Sequence, residues 1–510
     1  MARDASRRSR RQARGGPGLK QLPWRQVRNP YSPIEVLSAD QIEAIHDASM
    51  TVLEEIGMDF LHPQALAILD RAGAQVESGT QRVRFDRGLV EEAVAKAPSQ
   101  FTLHARNPEH NVVIGGNHIV FATVGSAPNV SDIEGGRRDG NFRDYCDLLR
   151  LAQSLNIVHL MGGYPVEAVD LPPATRHLDC VRAFLTLSDK VAFSYSLGRT
   201  RIQDGLELTK IARGIDEEQL CREPSLFTVV NTSSPLRLDG PMIEGVIEMA
   251  RRNQVVVITP FTLSGAMSPV TLAGALVQQN AEALAGLAFA QIVNPGAPVV
   301  YGGFTSNVDM KSGAPAFGTP EYSKAALASG QLARRYGLPY RSSNANACNV
   351  VDAQAAYESE MSLWGAVMGH ANIVLHAAGW MEGGLTASFE KMVLDAEMLQ
   401  MMAEFLRPIE VNEDTLGLDA IREVGPGGHF FGAAHTLARY ETAFYAPILS
   451  DWRNFETWEE DGALDTTRRA HRLYKQILAD YVAPPTDPAT LEALDAFVAR
   501  RKEEGGAEAA

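Results

Sequence analysis

The sequence predicts an α/β fold built on a (β/α)₈ barrel, and two observations lead to it. Short, almost continuously apolar runs recur along the chain, and successive runs start 29 to 43 residues apart. That interval fits one strand–loop–helix–loop unit, and such continuous runs are typical of strands buried on both faces. Each run is followed by a cluster of Gly, Ser, Asn or Pro and then by a helical stretch. The seven runs are 157–160, 191–195, 226–231, 255–259, 298–301, 338–341 and 372–376.

An eighth strand would complete the barrel, and the sequence offers either 119–124 or 428–431 for it. Helices are expected between the runs. Thr319 caps one of them ahead of a first-position proline, Asp352 caps a second, and Ser268 opens a third. An open, doubly wound sheet is the alternative architecture. No G-x-G-x-x-G sequence follows a predicted strand, so the dinucleotide-binding fingerprint of that architecture is missing.

Four parts are predicted along the chain. Residues 1–29 are Arg-rich and are expected to form a disordered basic arm. Residues 30–135 form an N-terminal α+β extension, whose first helix opens at the capping-box sequence from Ser38 to Gln41. Residues 136–450 form the barrel domain, and residues 451–510 form C-terminal helices that pack on the barrel.

The composition narrows the class of function. The chain has 510 residues, of which 45% are hydrophobic, and a net charge of −15. A chain this acidic repels phosphate backbones and anionic lipids, so neither nucleic acid nor a membrane surface is an expected partner. The four cysteines contain no C-x-x-C pair, which argues against a disulfide framework or a thiolate zinc site. A cytoplasmic protein is expected.

Catalytic groups of such barrels lie at the carboxyl ends of the strands. Here those positions are rich in glycine and aromatic residues and poor in strong acids and bases. His376 ends the seventh run, and either a substrate contact or a backbone-bonded structural histidine fits it. Trp380 and Glu382 follow in a Gly-rich loop. A carboxylate beside an indole suits an alkylammonium ion, whereas a rim carboxylate that caps a helix is the plainer interpretation.

Metal ligation has little support in the sequence. There is no H-E-x-x-H, and His429 and His435 lie six residues apart in a spacing more typical of loop anchors than of ligands. The sequence also lacks a phosphate-binding P-loop and a G-x-S-x-G nucleophile elbow. No intrinsic metal is therefore expected.

Several long segments resemble the trimethylamine methyltransferase superfamily, in its branch without pyrrolysine. They are Asn231-Thr-Ser-Ser-Pro-Leu236, Ser264-Gly-Ala-Met-Ser-Pro-Val-Thr-Leu-Ala-Gly-Ala275, Gln279-Asn-Ala-Glu282, Asp309-Met-Lys-Ser-Gly-Ala-Pro-Ala-Phe-Gly-Thr-Pro-Glu321, Asp352-Ala-Gln-Ala-Ala-Tyr-Glu358, His376-Ala-Ala-Gly-Trp-Met-Glu-Gly-Gly-Leu-Thr386, Gly427-Gly-His-Phe430, His435-Thr436 and Leu449-Ser-Asp-Trp452. The resemblance runs from about residue 30 to about residue 500. It implies a (β/α)₈ barrel that moves a methyl group from an amine to the Co(I) corrinoid, a cobalamin, of a separate carrier protein.

The missing pyrrolysine points to quaternary amines. A quaternary ammonium already leaves as a neutral tertiary amine, so the protein only has to position and desolvate the reacting pair. The resemblance therefore implies glycine betaine or a relative such as proline betaine, carnitine or choline as substrate. A homo-oligomer is also expected.

On this hypothesis residue chemistry suggests individual roles. An aromatic wall around the trimethylammonium group would comprise Tyr301, Phe304 and Trp380. Glu382 would offset the positive charge of the substrate. Glu382 and His376 are the two residues predicted to be catalytic. A substrate carboxylate would be bound by His376, Asn231 and Arg341.

Three other functions stay open from the sequence. The chain would be a metal-dependent barrel hydrolase or lyase if purified protein held stoichiometric metal. It would be a non-catalytic betaine-binding or assembly protein if it bound a quaternary amine without transferring methyl. A direct methyl acceptor other than cobalt is the third, although no nucleotide or folate signal is present.

Overall fold

The computed structural model describes residues 19–508. Residues 1–18 of the predicted basic arm lie outside this range. The end of that predicted arm is ordered, because Val27 and Arg28 form a strand that pairs antiparallel with Ile119 and His118. The prediction of an arm over 1–29 is therefore wrong at its carboxyl end. Val27 is buried there, which anchors the segment to the body of the protein.

A parallel sheet forms the centre of the molecule. Its strands in chain order are β1 His118–Thr123, β2 Ala192–Phe193, β3 Leu226–Thr232, β4 Val255–Ser264, β5 Val299–Gly302, β6 Tyr340–Ser343 and β7 Ile373–Ala378. Each of β2 to β6 pairs in parallel with the next strand along the chain. The sheet curls, because β7 also pairs in parallel with β1. Leu160 adds isolated parallel bridges to Ala122 of β1 and to Val191 beside β2.

The concave face of the curled sheet holds its own apolar core. Side chains from strands far apart in the sheet meet there, among them Val120, Phe227, Val300 and Leu375. A hairpin, Gln100–Leu103 and Val112–Gly115, supplies Leu103, Ala105, Val112 and Ile114 to the same core. The hairpin thus fills the concave side, and the strands' carboxyl ends stay clear for a site.

Seventeen α-helices are found within residues 19–508, and the longest ones cover the convex face of the sheet. They are Ala39–Thr51, Pro63–Arg71, Arg87–Val94, Phe142–Ser154, Arg176–Leu187, Arg199–Arg213, Glu217–Arg222, Gly240–Arg251, Leu272–Val293, Pro320–Arg335, Ala353–Met368, Phe389–Phe405, Leu418–Val424, Ala434–Arg439, Phe455–Glu460, Thr466–Ala479 and Pro488–Glu503. The remaining strands are Met58–Phe60, Gln75–Val76, Arg82–Arg84, Asn129–Asp132, Gly136–Asp139, Arg237–Leu238, Phe304–Val308, Pro315–Ala316, Trp380–Met381 and Thr386–Ser388. Among the described residues, no helix is both long and apolar enough to cross a membrane.

Six of the seven predicted strand runs form strands. The remaining run, 157–160, contributes only the bridges of Leu160. The segment 119–124, one of the two offered for an eighth strand, forms β1 and pairs in parallel with β7. Because β1 lies within the predicted N-terminal extension, 30–135, that segment contributes a strand to the central sheet. The alternative, 428–431, is wrong, because Phe430–Gly432 is a 3₁₀ turn in which Phe431 is 86% exposed.

The predicted helix starts hold where a cap defines them. The capping box at Ser38 is present, and the side chains of Thr319 and Asp352 accept hydrogen bonds from the first turns of their helices. The helix expected from Ser268 begins instead at Leu272, because Thr271 provides its cap. The C-terminal helix Pro488–Glu503 is fixed to the body by ion pairs such as Arg501 to Asp204.

Candidate active site

A cluster of aromatic side chains lies at the carboxyl ends of β4 to β7. We call it the aromatic box, and it comprises Phe261, Phe304, Phe317, Tyr322, His376 and Trp380. Phe304 is its centre, because its ring centroid lies 5.1 to 6.3 Å from the centroids of the other five rings. Most of these contacts are edge-to-face, the arrangement that aromatic quadrupoles favour.

Strand register explains how distant residues meet in the aromatic box. The strand Phe304–Val308 pairs in parallel with the second half of β4, and this register sets Phe304 directly beside Phe261. The chain then reverses, and Pro315–Ala316 pairs antiparallel with the end of the same strand. That reversal brings Phe317 back, with its ring centroid 5.6 Å from that of Phe304.

Arg341 lies against the aromatic box as a buried cation. Its side chain is on β6, the residue is 2% exposed, and its guanidinium carbon lies 5.2 Å from the Phe304 ring centroid. Burial lowers the pKa of Arg341 to about 10, which leaves it charged at neutral pH. Its Nη1 donates to the Gly303 carbonyl at 3.5 Å, and its Nε has no partner. No carboxylate among residues 19–508 pairs with it. A buried charge without a counter-ion is costly, so the site is suited to an anion.

His376 forms one wall of the box and is uncharged. Burial, and then the nearby charge of Arg341, lower the pKa of His376 to about 3. Its ring stacks on Trp380 with centroids 5.4 Å apart, and its Nδ1 is buried without a hydrogen-bond partner. The backbone of His376 has a φ of +54°, an uncommon conformation for a non-glycine residue that often marks functional sites.

A fully buried polar network holds the loop between His376 and Trp380. Lys391 and Asp395, one turn apart on Phe389–Phe405, pair with Nζ and Oδ1 at 2.5 Å, and both side chains are 0% exposed. The other carboxylate oxygen of Asp395 accepts a hydrogen bond from the Gly379 amide at 2.8 Å. The network therefore fixes the backbone immediately before Trp380.

Glu382 already has a cationic partner. Its Oε2 accepts a hydrogen bond from Arg137 Nε at 2.8 Å, and its side chain is only 13% exposed. The predicted role of Glu382 as the counter-charge of the substrate is thus weakened, because Arg137 already balances the carboxylate. Arg137 lies on the strand Gly136–Asp139, far away in sequence.

The other predicted site residues divide into two cases. Asn231 lies near the end of β3, is exposed, and faces the same side as Val229, which packs on the concave core. Tyr301 does not line the box. Its hydroxyl donates to Asn280 Oδ1 at 3.0 Å and accepts from Gln279 Nε2, both on Leu272–Val293. The prediction that Tyr301 binds substrate is wrong, since its side chain lies on the convex face, between sheet and helix.

Sequence reasoning missed several residues of the site. Phe261 follows the predicted run 255–259 and Phe317 lies in the segment 309–321, but no local pattern indicates that the two rings meet. Arg137 pairs with Glu382, and Asp395 accepts a hydrogen bond from the Gly379 amide. A single sequence does not reveal either contact. Within the described part of the chain, no group of three or more His, Cys, Asp or Glu side chains is placed to hold a metal ion.

Together these features define an α/β protein with a buried aromatic cluster and an adjacent buried cation at the carboxyl ends of a curled parallel sheet. The sequence profile described as trimethylamine methyltransferase (MTTB) matches residues 3–506. The chain belongs to this family, and it is a methyltransferase.

Two relatives agree with this assignment by their sequences. Glycine betaine methyltransferase of Desulfitobacterium hafniense strain Y51 is 40% identical over 474 residues, which cover 93% of this chain and 98% of that protein. Trimethylamine methyltransferase MttB of Desulfitobacterium hafniense strain DSM 10664 / DCB-2 is 29% identical over 471 residues, covering 92% and 94%. The crystal structure of Methanosarcina barkeri monomethylamine methyltransferase covers 89% of this chain and 90% of its own, with 10% identity and a TM-score of 0.49.

Proposed function

We propose that this methyltransferase takes its methyl group from glycine betaine or a related carboxylated quaternary amine, and passes it to the Co(I) corrinoid of a separate carrier protein. One observation carries the substrate assignment. Arg341 is a buried cation at the aromatic box with no carboxylate partner in residues 19–508. A betaine carboxylate would supply the missing anion, whereas trimethylamine and choline have none to offer.

The aromatic box suits the other end of the same zwitterion. The trimethylammonium group of a betaine would lie against the aromatic rings of the box, next to the carboxylate bound by Arg341. Attraction of a desolvated cation to aromatic faces is worth about 2 kcal/mol. With Glu382 paired to Arg137, these faces carry most of the recognition of the positive charge. The arginine and the aromatic faces would thus orient the substrate from both ends.

The chemistry asks for no acid or base from the protein. The carbon–nitrogen bond breaks with its electron pair staying on nitrogen, so the amine leaves neutral and needs no proton. A neutral His376 fits this step, because its pKa of about 3 rules out proton donation at neutral pH. We assign His376 to positioning: it supports the Trp380 face and offers its free Nδ1 to a substrate carboxylate.

The methyl acceptor has to come from outside this chain. Burial raises the pKa of the Cys348 thiol to about 12 and that of Cys146 to about 11, and the pKa values of Cys180 and Cys221 are raised as well. Thiols so far from ionisation are poor nucleophiles. A Co(I) corrinoid supplies a strong nucleophile to attack the methyl carbon, and the carboxyl-end mouth of the sheet is the side from which it would approach.

We extend the proposal to the architecture of the chain and to its cellular location. The pairing of β7 with β1 and the bridges of Leu160 support a closed (β/α)₈ barrel over residues 136–450, with β1 lent to it by the segment 30–135. Residues 451–510 would then form helices that pack on that barrel. The four free cysteines and a Co(I) acceptor fit a reducing cytoplasm. We also propose that the chain forms a homo-oligomer.

A methyl-transfer assay tests the proposed function. Purified protein is mixed with carrier in the Co(I) state and with glycine betaine, proline betaine, carnitine, choline or trimethylamine, and the loss of the Co(I) absorbance is followed. We expect transfer from a carboxylated quaternary amine and none from choline or trimethylamine. Equal rates with choline would remove the role of Arg341. Calorimetric binding of betaine without any transfer would make the chain a binding protein.

A further inference from the structure

A segment of the chain stands apart from the body. We call residues 407–447 the arm. It follows the helix Phe389–Phe405 and contains two short helices, Leu418–Val424 and Ala434–Arg439. Between residues 408 and 444 its hydrogen bonds and ion pairs are internal, such as Arg439 to Asp414. Within the described residues, no hydrogen bond joins 408–444 to the body, and no arm residue belongs to a hydrophobic core cluster. The arm is therefore folded on itself and not packed on its own barrel.

Large apolar side chains of the arm are exposed to solvent. They are Ile409, Val411, Leu416, Leu418, Ile421, Phe430, Phe431, Leu437, Tyr440 and Phe444. Three of them are more than 80% exposed: Ile409 at 87%, Phe431 at 86% and Phe444 at 85%. Together they present roughly 1,000 Å² of apolar surface, which exceeds the largest patch of a typical monomer. It also exceeds the about 800 Å² that each partner buries in a standard stable interface.

A second apolar surface lies on the body where the arm departs. We call it the wall patch, and it comprises Tyr357, Met361, Trp364, Met401 and Phe405. Tyr357, Met361 and Trp364 share one face of Ala353–Met368, at helical spacing. Met401 and Phe405 share a face of the next helix, and the rings of Trp364 and Phe405 meet at 4.9 Å. Tyr357 is 59% exposed and Met401 is 50% exposed, so the arm of the same chain leaves the patch open.

We propose that the arm of one copy packs on the wall patch of a second copy of this chain. The arm departs directly beside the wall patch, so a two-fold axis near Phe405 lets each copy cover the patch of the other. Such an isologous exchange closes after two chains and leaves neither surface exposed. The proposal concerns assembly and does not depend on which amine is the substrate.

A permanent partner fits these surfaces better than the corrinoid carrier does. The carrier has to leave after each methyl transfer, and surfaces this apolar are typical of obligate interfaces. The position points the same way. Tyr31 bonds the Phe405 carbonyl, and nearby Asn29 bonds Asn117, which precedes β1. The arm thus starts near the amino ends of the strands, whereas the carrier has to reach the aromatic box at the carboxyl ends.

Sedimentation of the full-length protein tests the exchange. We expect wild type at micromolar concentration to have twice the 55.4 kDa mass of one chain, or a larger even multiple. Phe431→Glu and Phe444→Glu in the arm, and Met361→Glu in the wall patch, should each weaken self-association by roughly 100-fold or more. Val482→Glu is the matched control, because Val482 is 83% exposed and lies outside both surfaces. Its mass should stay that of wild type, and unchanged circular dichroism confirms folding of every variant.

A cross-link identifies the occupant directly. A photoreactive phenylalanine analogue replaces Phe431, and isotopically heavy and light chains are mixed before irradiation. We expect heavy-to-light cross-links between the arm and peptides of 353–368 or 389–405. A monomeric wild type, or cross-links within one chain only, would overturn the proposal. So would arm variants that keep the wild-type mass but lose transfer to the carrier, since the arm would then belong to the carrier interface.

Discussion

Arg341 is the residue on which substrate choice depends. Replacing it with methionine, Arg341→Met, removes a buried charge while keeping much of the side-chain volume. Two opposite effects are expected. The melting temperature of the substrate-free protein should rise, because an uncompensated charge has gone. The KM for betaine should increase roughly 100-fold, because losing a buried charge partner costs about 3 kcal/mol. Thermal unfolding and steady-state kinetics measure the pair. A fall in melting temperature together with an unchanged KM would make Arg341 a structural residue.

The positive end of the substrate is tested at Trp380. Trp380→Leu keeps an apolar wall but removes the indole face, so betaine binding should weaken by about 1–2 kcal/mol, or roughly tenfold. The neutral isostere 3,3-dimethylbutyrate is the control ligand, because it keeps the carboxylate and the shape but has no positive charge. Calorimetry should show betaine losing affinity well beyond the loss for the isostere. Equal losses for the two ligands would mean that Trp380 supplies packing alone.

The depressed pKa of His376 has a consequence for pH and stability. Its folded pKa of about 3 lies below its ordinary value of 6.5, so the unfolded chain binds a proton first as pH falls. The contribution of uncharged His376 to the free energy of unfolding is therefore fully present above pH 6.5 and is lost as the pH falls towards 3. His376→Gln cannot take up that proton. Between pH 7 and pH 4.5, urea unfolding should show wild type losing about 2 kcal/mol more than the variant. Parallel stability profiles of the two proteins would contradict the low pKa.

At this scale the sequence predicted about half of the site. His376, Phe304, Trp380 and Arg341 come together as their places after strands suggested. Tyr301 failed because alternation along a strand decides which face a residue takes, and one residue of register separates the concave face from the convex one. Pairings over long sequence distances, such as Arg137 with Glu382, leave no local signal.

Among the elements, the helix Phe389–Phe405 connects stability with the site through Lys391 and Asp395. Asp395→Asn leaves the Lys391 ammonium buried and unpaired, so it should lower the free energy of unfolding by about 3–5 kcal/mol. Lys391→Met combined with Asp395→Leu should recover most of that stability, but not the hydrogen bond to Gly379. The double variant should therefore melt near wild type and still turn over more slowly. Additive losses of stability in the double variant would exclude this coupling.

Elements with both a buried face and a capping residue could be predicted from the sequence. The run 157–160 shows where prediction from the apolar pattern fails. Its apolar run satisfies the pattern of a buried strand, but only Leu160 pairs with its neighbours. Gly162 and Gly163 follow at once, and the backbones there approach closely, since a Cβ on Gly162 would lie 2.2 Å from the Thr123 carbonyl oxygen. Pattern alone marks where apolar residues lie, whereas strand length depends on what the neighbouring backbone allows.

At the scale of the whole molecule, the arm is a part of the predicted barrel domain, 136–450, that lies away from the central sheet. Residues 407–447 carry many large apolar side chains. None of these belongs to a hydrophobic core cluster of the described residues, and in this segment only the small residues Ala420 and Ala433 are buried. A sequence records that a surface is to be covered, but not whether its own chain or another one covers it.

The hairpin Gln100–Leu103 and Val112–Gly115 has a consequence for the order of events in catalysis. Because the hairpin fills the amino-terminal side of the concave core, we expect the aromatic box to be reached from the carboxyl ends of the strands. On the proposed function, a docked carrier would cover this side of the molecule. Betaine would then bind before the carrier, and the demethylated amine would dissociate after the carrier has left. Stopped-flow binding should therefore show betaine entering the enzyme–carrier complex at least tenfold more slowly than the free enzyme. Equal entry rates would show that betaine reaches the site by a second route.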